Sequence, residues 1–234
     1  MLWLQTPQGT YTEATLLYAA ISVLGPPLPP IYPRQNFQGH ILRNAFLRRA
    51  YRYLRIDPPS SPGPIVRGHV VTIIDRQGTR KMFMIERYTD YPRQRYPNFK
   101  INTVDFGALT LREQVLVAQD TASLVGHHGA GMTHVFFVPE QSAMIKISPR
   151  TFGLAGFCHL SKMRQHSYFV INSMWVGDWE KETGTGSGTQ HPRWHESKLQ
   201  DSEWVYIREK DFQSLVDAAL WSMDYKGVGI APQP

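Results

Sequence analysis

The residues best suited to chemistry lie in one stretch, Ser123 to Pro139. An apolar run ends at Gly126, and a turn follows with glycines at 126, 129 and 131 and histidines at 127, 128 and 134. A short apolar segment then stops at Pro139. Glycine lets the backbone come close to a ligand, and free amides at the start of a helical segment point at negative charge. The arrangement is that of a phosphate cradle, although a glycine turn is also a common tight connection. Arginines that could close over such a charge are plentiful. Arg43, Arg48, Arg49, Arg52 and Arg55 form one group, and Arg76, Arg80, Lys81, Arg87, Arg93 and Arg95 form a looser one. A guanidinium grips phosphate with two parallel hydrogen bonds, which an ammonium cannot do. For most of these side chains a solvated helix or loop face is the simpler assignment.

Other chemistries fit less well. Two adjacent histidines, His127 and His128, point apart, and no cysteine or carboxylate stands at metal-ligand spacing beside them. His191 and His195 flank Pro192, Arg193 and Trp194 in what reads as a loop. There is no Gly-x-Ser-x-Gly elbow, and Cys158 has no activating neighbours in sequence, which argues against a hydrolase. A dinucleotide fingerprint would read Gly-x-Gly-x-x-Gly after the first strand, whereas this chain has Gly-x-x-Gly-x-Gly after a later one. What remains is a diphosphate-bearing ligand held by turn amides, a helix start and an arginine or two.

Composition sets the frame. The 234 residues are 42% hydrophobic, enough for a sizeable core, with a formal charge of +6 and a pI near 9.5. A basic chain suits an anionic ligand, nucleic acid or a negatively charged membrane surface. No run of five basic residues occurs, which disfavours nucleic acid. One cysteine cannot make an intrachain disulfide. No signal peptide is evident at the N-terminus. Ala14 to Leu24 is apolar but too short to cross a bilayer, and composition leaves membrane association open.

The elements that must position the turn follow from periodicity. Residues 10–24 fit a helix with Thr12 as N-cap, and Ile41 to Leu54 fit a second. Proline-rich punctuation follows each, at 25–30 and 58–64. The texture then alternates. His69 to Ile74 is a buried, β-branched strand ending at Asp75 and Arg76. Lys100 to Val104 is a second strand, Ala122 to Val125 a third, Ala143 to Ile147 a fourth and Tyr168 to Ile171 a fifth. Thr110 and Glu113 form a capping box opening a helix through Gln119. A last helix is capped by Asp211, with Phe212, Leu215, Val216, Ala219, Leu220 and Met223 on one face. Residues 183–189 read as a polar loop and 227–234 as a tail. The alternation predicts βαβ units and a largely parallel sheet. Ligands of such sheets bind beyond the carboxyl ends of the strands, where both Arg76 and the glycine turn fall.

The run Gly126-His127-His128-Gly129-Ala130-Gly131-Met132-Thr133-His134-Val135-Phe136-Phe137-Val138-Pro139 resembles the G-x-H-G-A-G-[L/M]-T-[N/H]-x-x-F-x-P signature of glycosyltransferase family 61. His134 and its context look most like the EGF-domain-specific O-linked N-acetylglucosamine transferase branch. Val71 to Arg80 resembles the family's strand followed by Arg-x-x-x-Arg. Leu109 to Val115, with Gln114, resembles its F-x-x-Q-[V/L] helix. Gln190 to Trp194 and Asp211-Phe212 resemble late blocks of that branch. The resemblance covers about residues 36 to 225. It implies an α/β fold, a Rossmann-like parallel sheet corresponding to the C-terminal half of a GT-B glycosyltransferase. On that reading residues 1–64 are an N-terminal helical segment with proline-rich linkers, residues 65–226 the nucleotide-sugar-binding domain and residues 227–234 a tail. It further implies inverting transfer of N-acetylglucosamine from its UDP donor to a Ser or Thr hydroxyl, without a metal or other cofactor. Arg76 and Arg80 would neutralise the diphosphate. Gly129, Ala130 and Gly131 would present amides to it. His128 and Thr133 would line the donor pocket. The partners implied are the donor and a protein acceptor such as EGF-like repeats, in the endoplasmic reticulum lumen or Golgi, with no nucleic acid. No general base is identified. The chain also departs from the family: Met84 stands where Asn is frequent, Lys146 where Glu is frequent, and the acceptor-side N-terminal half is largely missing. A binding-only relative is therefore the alternative.

Overall fold

The computed structural model of the protein describes residues 36–58, 69–149, 156–174, 179, 184 and 204–224. The expected helix at 10–24, the linker at 25–30, most of the punctuation at 58–64, the histidines at 191 and 195 and the tail lie outside these residues.

The described chain runs α1 (Asn36–Leu54), β1 (Val70–Ile74), β2 (Lys81–Met82), α2 (Ile85–Arg95), β3 (Lys100–Val104), a 3-10 turn (Phe106–Ala108), α3 (Leu111–Gln119), β4 (Ser123–His127), a 3-10 helix (Ala130–Phe136), β5 (Ala143–Ser148), α4 (Gly156–Met163), β6 (Ser167–Asn172), β7 (Trp204–Val205) and α5 (Glu209–Asp224). Five strands form one sheet in the order β3-β1-β4-β5-β6, and every pair is parallel. β2 and β7 form a separate parallel pair.

The three central strands β1, β4 and β5 are buried on both faces, as their mostly apolar sequences require, while the edge strands β3 and β6 are more exposed. Val71, Ile73, Val125, Ile145 and Ile147 point to one face and meet Tyr88 of α2 and Phe212, Val216 and Leu220 of α5. Ile74, Leu124 and Met144 point to the other, against Leu47 and Tyr51 of α1, Val115 and Ala118 of α3, Phe136, and Phe157 and Leu160 of α4. This is a mixed α/β fold of Rossmann-like type, as the alternation of elements predicts. Within the sheet's polar content, the Thr121 hydroxyl donates to the Val117 carbonyl at 2.7 Å and lies 2.6 Å from the Thr72 hydroxyl, so neither is buried without a partner.

Chain order sets where a ligand can sit. From β1 the chain passes through α2 to β3 on one side, then returns through α3 to β4 on the other side of β1. The connections part between β1 and β4. In open α/β sheets the crevice beyond the carboxyl ends at such a point is the binding position.

Two ties fix the helices. Tyr91 and Tyr96 donate hydroxyls to the two carboxylate oxygens of Asp217, at 2.7 and 2.8 Å, joining α2 to α5. Burial, with this acceptor added, pushes the Tyr91 phenol up to about 12. On the opposite face Glu140 takes Arg43 of α1 at 3.0 Å and Arg164, just beyond α4, at 2.9 Å. Arg43 also donates to the Met163 carbonyl, and Arg164 to the Val138 carbonyl at 3.0 Å.

Helix α2 begins at Met84, whose φ of 53° and ψ of 53° are left-handed and whose side chain makes no cap. Asparagine adopts that conformation several-fold more readily than an unbranched apolar residue. Met84→Asn is therefore expected to stabilise the fold, by about 1 kcal/mol. A urea midpoint at or below that of the parent would contradict this.

Candidate functional site

β1 ends at Ile74, and Asp75 and Arg76 follow it to the crevice. Three strands later in sequence, β4 runs to His127, two residues beyond the expected end of the strand. The glycine turn therefore starts at the sheet's edge beside Arg76. A Cβ placed on Gly129 would overlap a terminal nitrogen of Arg76 and stand 3.5 Å from one of Arg80. Glycine is required there by the approach of two guanidiniums rather than by backbone conformation, since its φ of 169° is extended. Arg76 is held by its Nε, which donates to the Thr79 carbonyl at 2.9 Å. That leaves its terminal nitrogens turned toward the turn. Arg80 donates to the His128 carbonyl at 2.8 Å. Burial lowers the Arg76 pKa, and the neighbouring Arg80 lowers it further. Two cations side by side, Arg76 partly desolvated, favour an anion between them.

The turn is rigid from behind. Residues 128–131 are half-buried, whereas Met132 to Val138 are buried. Thr133, wholly buried, donates its hydroxyl to the Ala130 carbonyl at 2.7 Å. His134 Nδ1 lies 3.0 Å from the Gly131 carbonyl, the geometry of an Nδ1–H donor. These two side chains turn the carbonyls of Ala130 and Gly131 inward. The role expected of Thr133 as a pocket wall thus meets a side chain that braces the turn from inside the protein. His128 packs its ring edge-on against Phe157, with centroids 4.9 Å apart. Gly126 is needed for packing: a Cβ there would stand 2.6 Å from Met132 Sδ and 3.1 Å from Ile74 Cδ1. Gly126→Ala should destabilise the protein by about 1–3 kcal/mol through overpacking, readable in chemical denaturation.

The sequence gives no site role to three groups that the fold brings to this edge. Asp75 and Asp105 end β1 and β3, and each acts on the charge of Arg76 or of the other. The side chain of Gln77 donates to Asp75 at 2.8 Å, while burial, the larger effect, raises the Asp75 pKa. Asp105 accepts the Gly107 amide at 2.8 Å and caps the 3-10 turn. Lys146, opposite Gly126 in the β4–β5 register, is a buried cation whose pKa is lowered by burial. A lysine inside an apolar strand was the available signal. Among the described residues no three His, Cys, Asp or Glu side chains form a metal cluster, and no helix is long and apolar enough to cross a membrane.

The histidines of the turn are neutral. Burial pushes His127 down to about 3 and His134 to about 4. His128 is brought to about 4 by burial first, then by Lys146 and Arg80. An unfolded histidine titrates near 6.5, so on acidification the unfolded state takes up protons first. Their contribution to stability is complete above about pH 6.5 and drains away as pH falls toward the folded values. The expected slope is about 1.4 kcal/mol per pH unit for each fully buried histidine, His127 and His134. Urea titrations at steps from pH 7.5 to 4.5 should show a plateau and then this decline. Stability that rises between pH 6.5 and 5 would refute the assignment of neutral histidines.

A family model described as Glycosyltransferase 61 matches residues 27–145. That span is just over half of the chain and contains α1, β1, Arg76, Arg80 and the whole glycine turn. No curated protein matches the chain.

Proposed function

Because the chain belongs to glycosyltransferase family 61, we propose that it uses UDP-N-acetylglucosamine as donor and transfers the sugar to a protein Ser or Thr hydroxyl, in the manner of the EGF-domain-specific branch. One observation carries the reading: Arg76, Arg80 and the Gly129 turn converge beyond the carboxyl ends of β1 and β4. In this arrangement a diphosphate would sit between the two guanidiniums and the amides of Gly129 to Gly131. Fixed positive charge at the leaving nucleoside diphosphate is a large term in such a transfer, because it stabilises charge that develops only as the glycosidic bond breaks. His128 would border the donor beside Phe157. Thr133 and His134 would hold the amides in place. Residues 65–226 would form the donor-binding unit, working in the endoplasmic reticulum lumen or Golgi on acceptors such as EGF-like repeats.

The test is a thermal-shift titration with UDP-N-acetylglucosamine, with UDP-glucose and CMP as comparators. Donor at a hundred times its Kd should stabilise the chain by about 2.7 kcal/mol. The absence of any shift with every UDP sugar would sink the proposal. A second reading, binding without transfer, is favoured by Lys146, which stands buried where the resembled family often has Glu. Stabilisation by donor without transfer to a folded EGF-like repeat would select it.

A further inference from the structure

The outward face of α1 belongs to none of the chemistry above. It carries Ile41, Arg48, Arg52 and, at its end, Arg55 in one row, with Leu42, Arg49 and Tyr53 beside them at helical spacing. All seven are exposed: Ile41 by 54%, Leu42 by 49% and Tyr53 by 83%. The inward face, by contrast, anchors Leu47 and Tyr51 in the core and Arg43 on Glu140. The helix sequence contains no acidic residue. Among the described residues none of the guanidiniums of Arg48, Arg49, Arg52 and Arg55 has a hydrogen bond or an ion pair. Like charges stand at i,i+4 (Arg48 and Arg52) and i,i+3 (Arg49 and Arg52; Arg52 and Arg55), spacings that weaken a helix. An anionic surface that receives them would turn this repulsion into attraction.

We propose that this face docks on an anionic lipid surface. Two features favour lipid over a soluble polyanion. The charges lie along one face of a helix rather than around a groove. The face also carries two aliphatic side chains and a tyrosine, which suit the boundary between headgroups and acyl chains. Each arginine near an anionic leaflet adds attraction that salt screens. The face shares no residue with the crevice at β1 and β4, so docking and donor binding are independent.

The test is co-sedimentation of the full 234-residue chain with phosphatidylcholine vesicles, with and without about a third phosphatidylserine, at low and high salt. The expected result is binding to the phosphatidylserine vesicles alone, lost at high salt. Arg48→Glu/Arg49→Glu/Arg52→Glu should weaken it at least about tenfold. Far-UV circular dichroism should be unchanged, since these side chains hold nothing in the described fold. Leu42→Ser/Tyr53→Ser should weaken it by a smaller factor at every salt concentration. No sedimentation at low salt, or retention of binding by the arginine triple variant, overturns the proposal. So does tighter binding to heparin or duplex DNA than to vesicles with the same arginine dependence, which would make the partner a soluble polyanion. Concentration-dependent dimerisation abolished by the same arginine variant would make it a second copy.

Discussion

Glu140→Ala should lower the melting temperature by about 10 °C, the largest loss expected from any one carboxylate in the described fold. The reason is the imbalance around it. Arg43 and Arg164 are 5% and 6% exposed, and both reach the same carboxylate oxygen, at 3.0 and 2.9 Å. Glu140 is the only anion that either of them meets among the described residues. Removing one partner of a buried pair leaves an uncompensated charge in a poorly polarisable site and costs about 3–5 kcal/mol. Here two guanidiniums would be stranded together, and they repel. For a chain of this size each kcal/mol is worth about 2–4 °C. The damage should also be directional. Arg43 ties α1 to the Met163 carbonyl at the end of α4, and Arg164, just beyond α4, is tied to the Val138 carbonyl, so α1 and α4 loosen together. Glu140→Gln, which keeps an acceptor but not the charge, should fall between the alanine variant and the parent. Calorimetry on the three proteins checks the order; a drop of less than about 3 °C for the alanine variant would mean that the arginines find other partners.

How much of this was legible in the sequence depends on what kind of force made each element. The central strands are buried on both faces, so β1 and β5 are runs of largely β-branched or aliphatic residues; β1 forms at Val70 to Ile74 within the expected His69 to Ile74, and the more exposed edge strand Lys100 to Val104 appears as expected. Helix α3 is equally plain because its capping box is a local device, with Thr110 and Glu113 exchanging hydrogen bonds. Helix α2 was not foreseen, and its sequence explains why. It starts from a left-handed methionine with no cap, contains Pro92 in its last turns, and buries only Tyr88, Thr89 and Pro92. Its stability comes from α5, through Asp217 and the packing of Tyr88 on Phe212, contacts more than a hundred residues away in sequence. No local pattern encodes those. The short β2–β7 pair escaped for the same reason.

The site divides along similar lines. Glycine spacing marked the turn, and the strand-end position of Arg76 placed it near that turn, because a parallel sheet puts all carboxyl ends on one edge. Periodicity could not say which strands are neighbours. That β1 and β4 lie side by side is a property of the crossover order, and with it comes the contact of Arg76 with Gly129. Thr133 is a case that spacing does not address: its place by the donor is what the family resemblance implies, and the 3-10 helix at 130–136 sets its hydroxyl on the Ala130 carbonyl.

That contact supplies the second large expectation. Gly129→Ala should reduce affinity for UDP about tenfold or more while changing stability by less than about 1 kcal/mol. The substitution introduces no backbone strain, since the glycine already has an extended φ of 169°. Its added methyl collides only with the far end of Arg76, a flexible side chain that can swing outward. The fold survives, and the guanidinium loses its place over the turn. Arg76→Ala removes the same guanidinium outright, and a lost charge-assisted contact of about 1.5–3 kcal/mol corresponds to roughly ten- to a hundred-fold in Kd. If Gly129 matters because it makes room for Arg76, the two substitutions act on one interaction. The double variant should then bind UDP no more weakly than Arg76→Ala alone, a strongly non-additive cycle. Isothermal titration of UDP against the four proteins measures it. Additive losses would show that the Gly129 amide and Arg76 contact the ligand separately. Unchanged affinity in both single variants would move the diphosphate away from this crevice altogether.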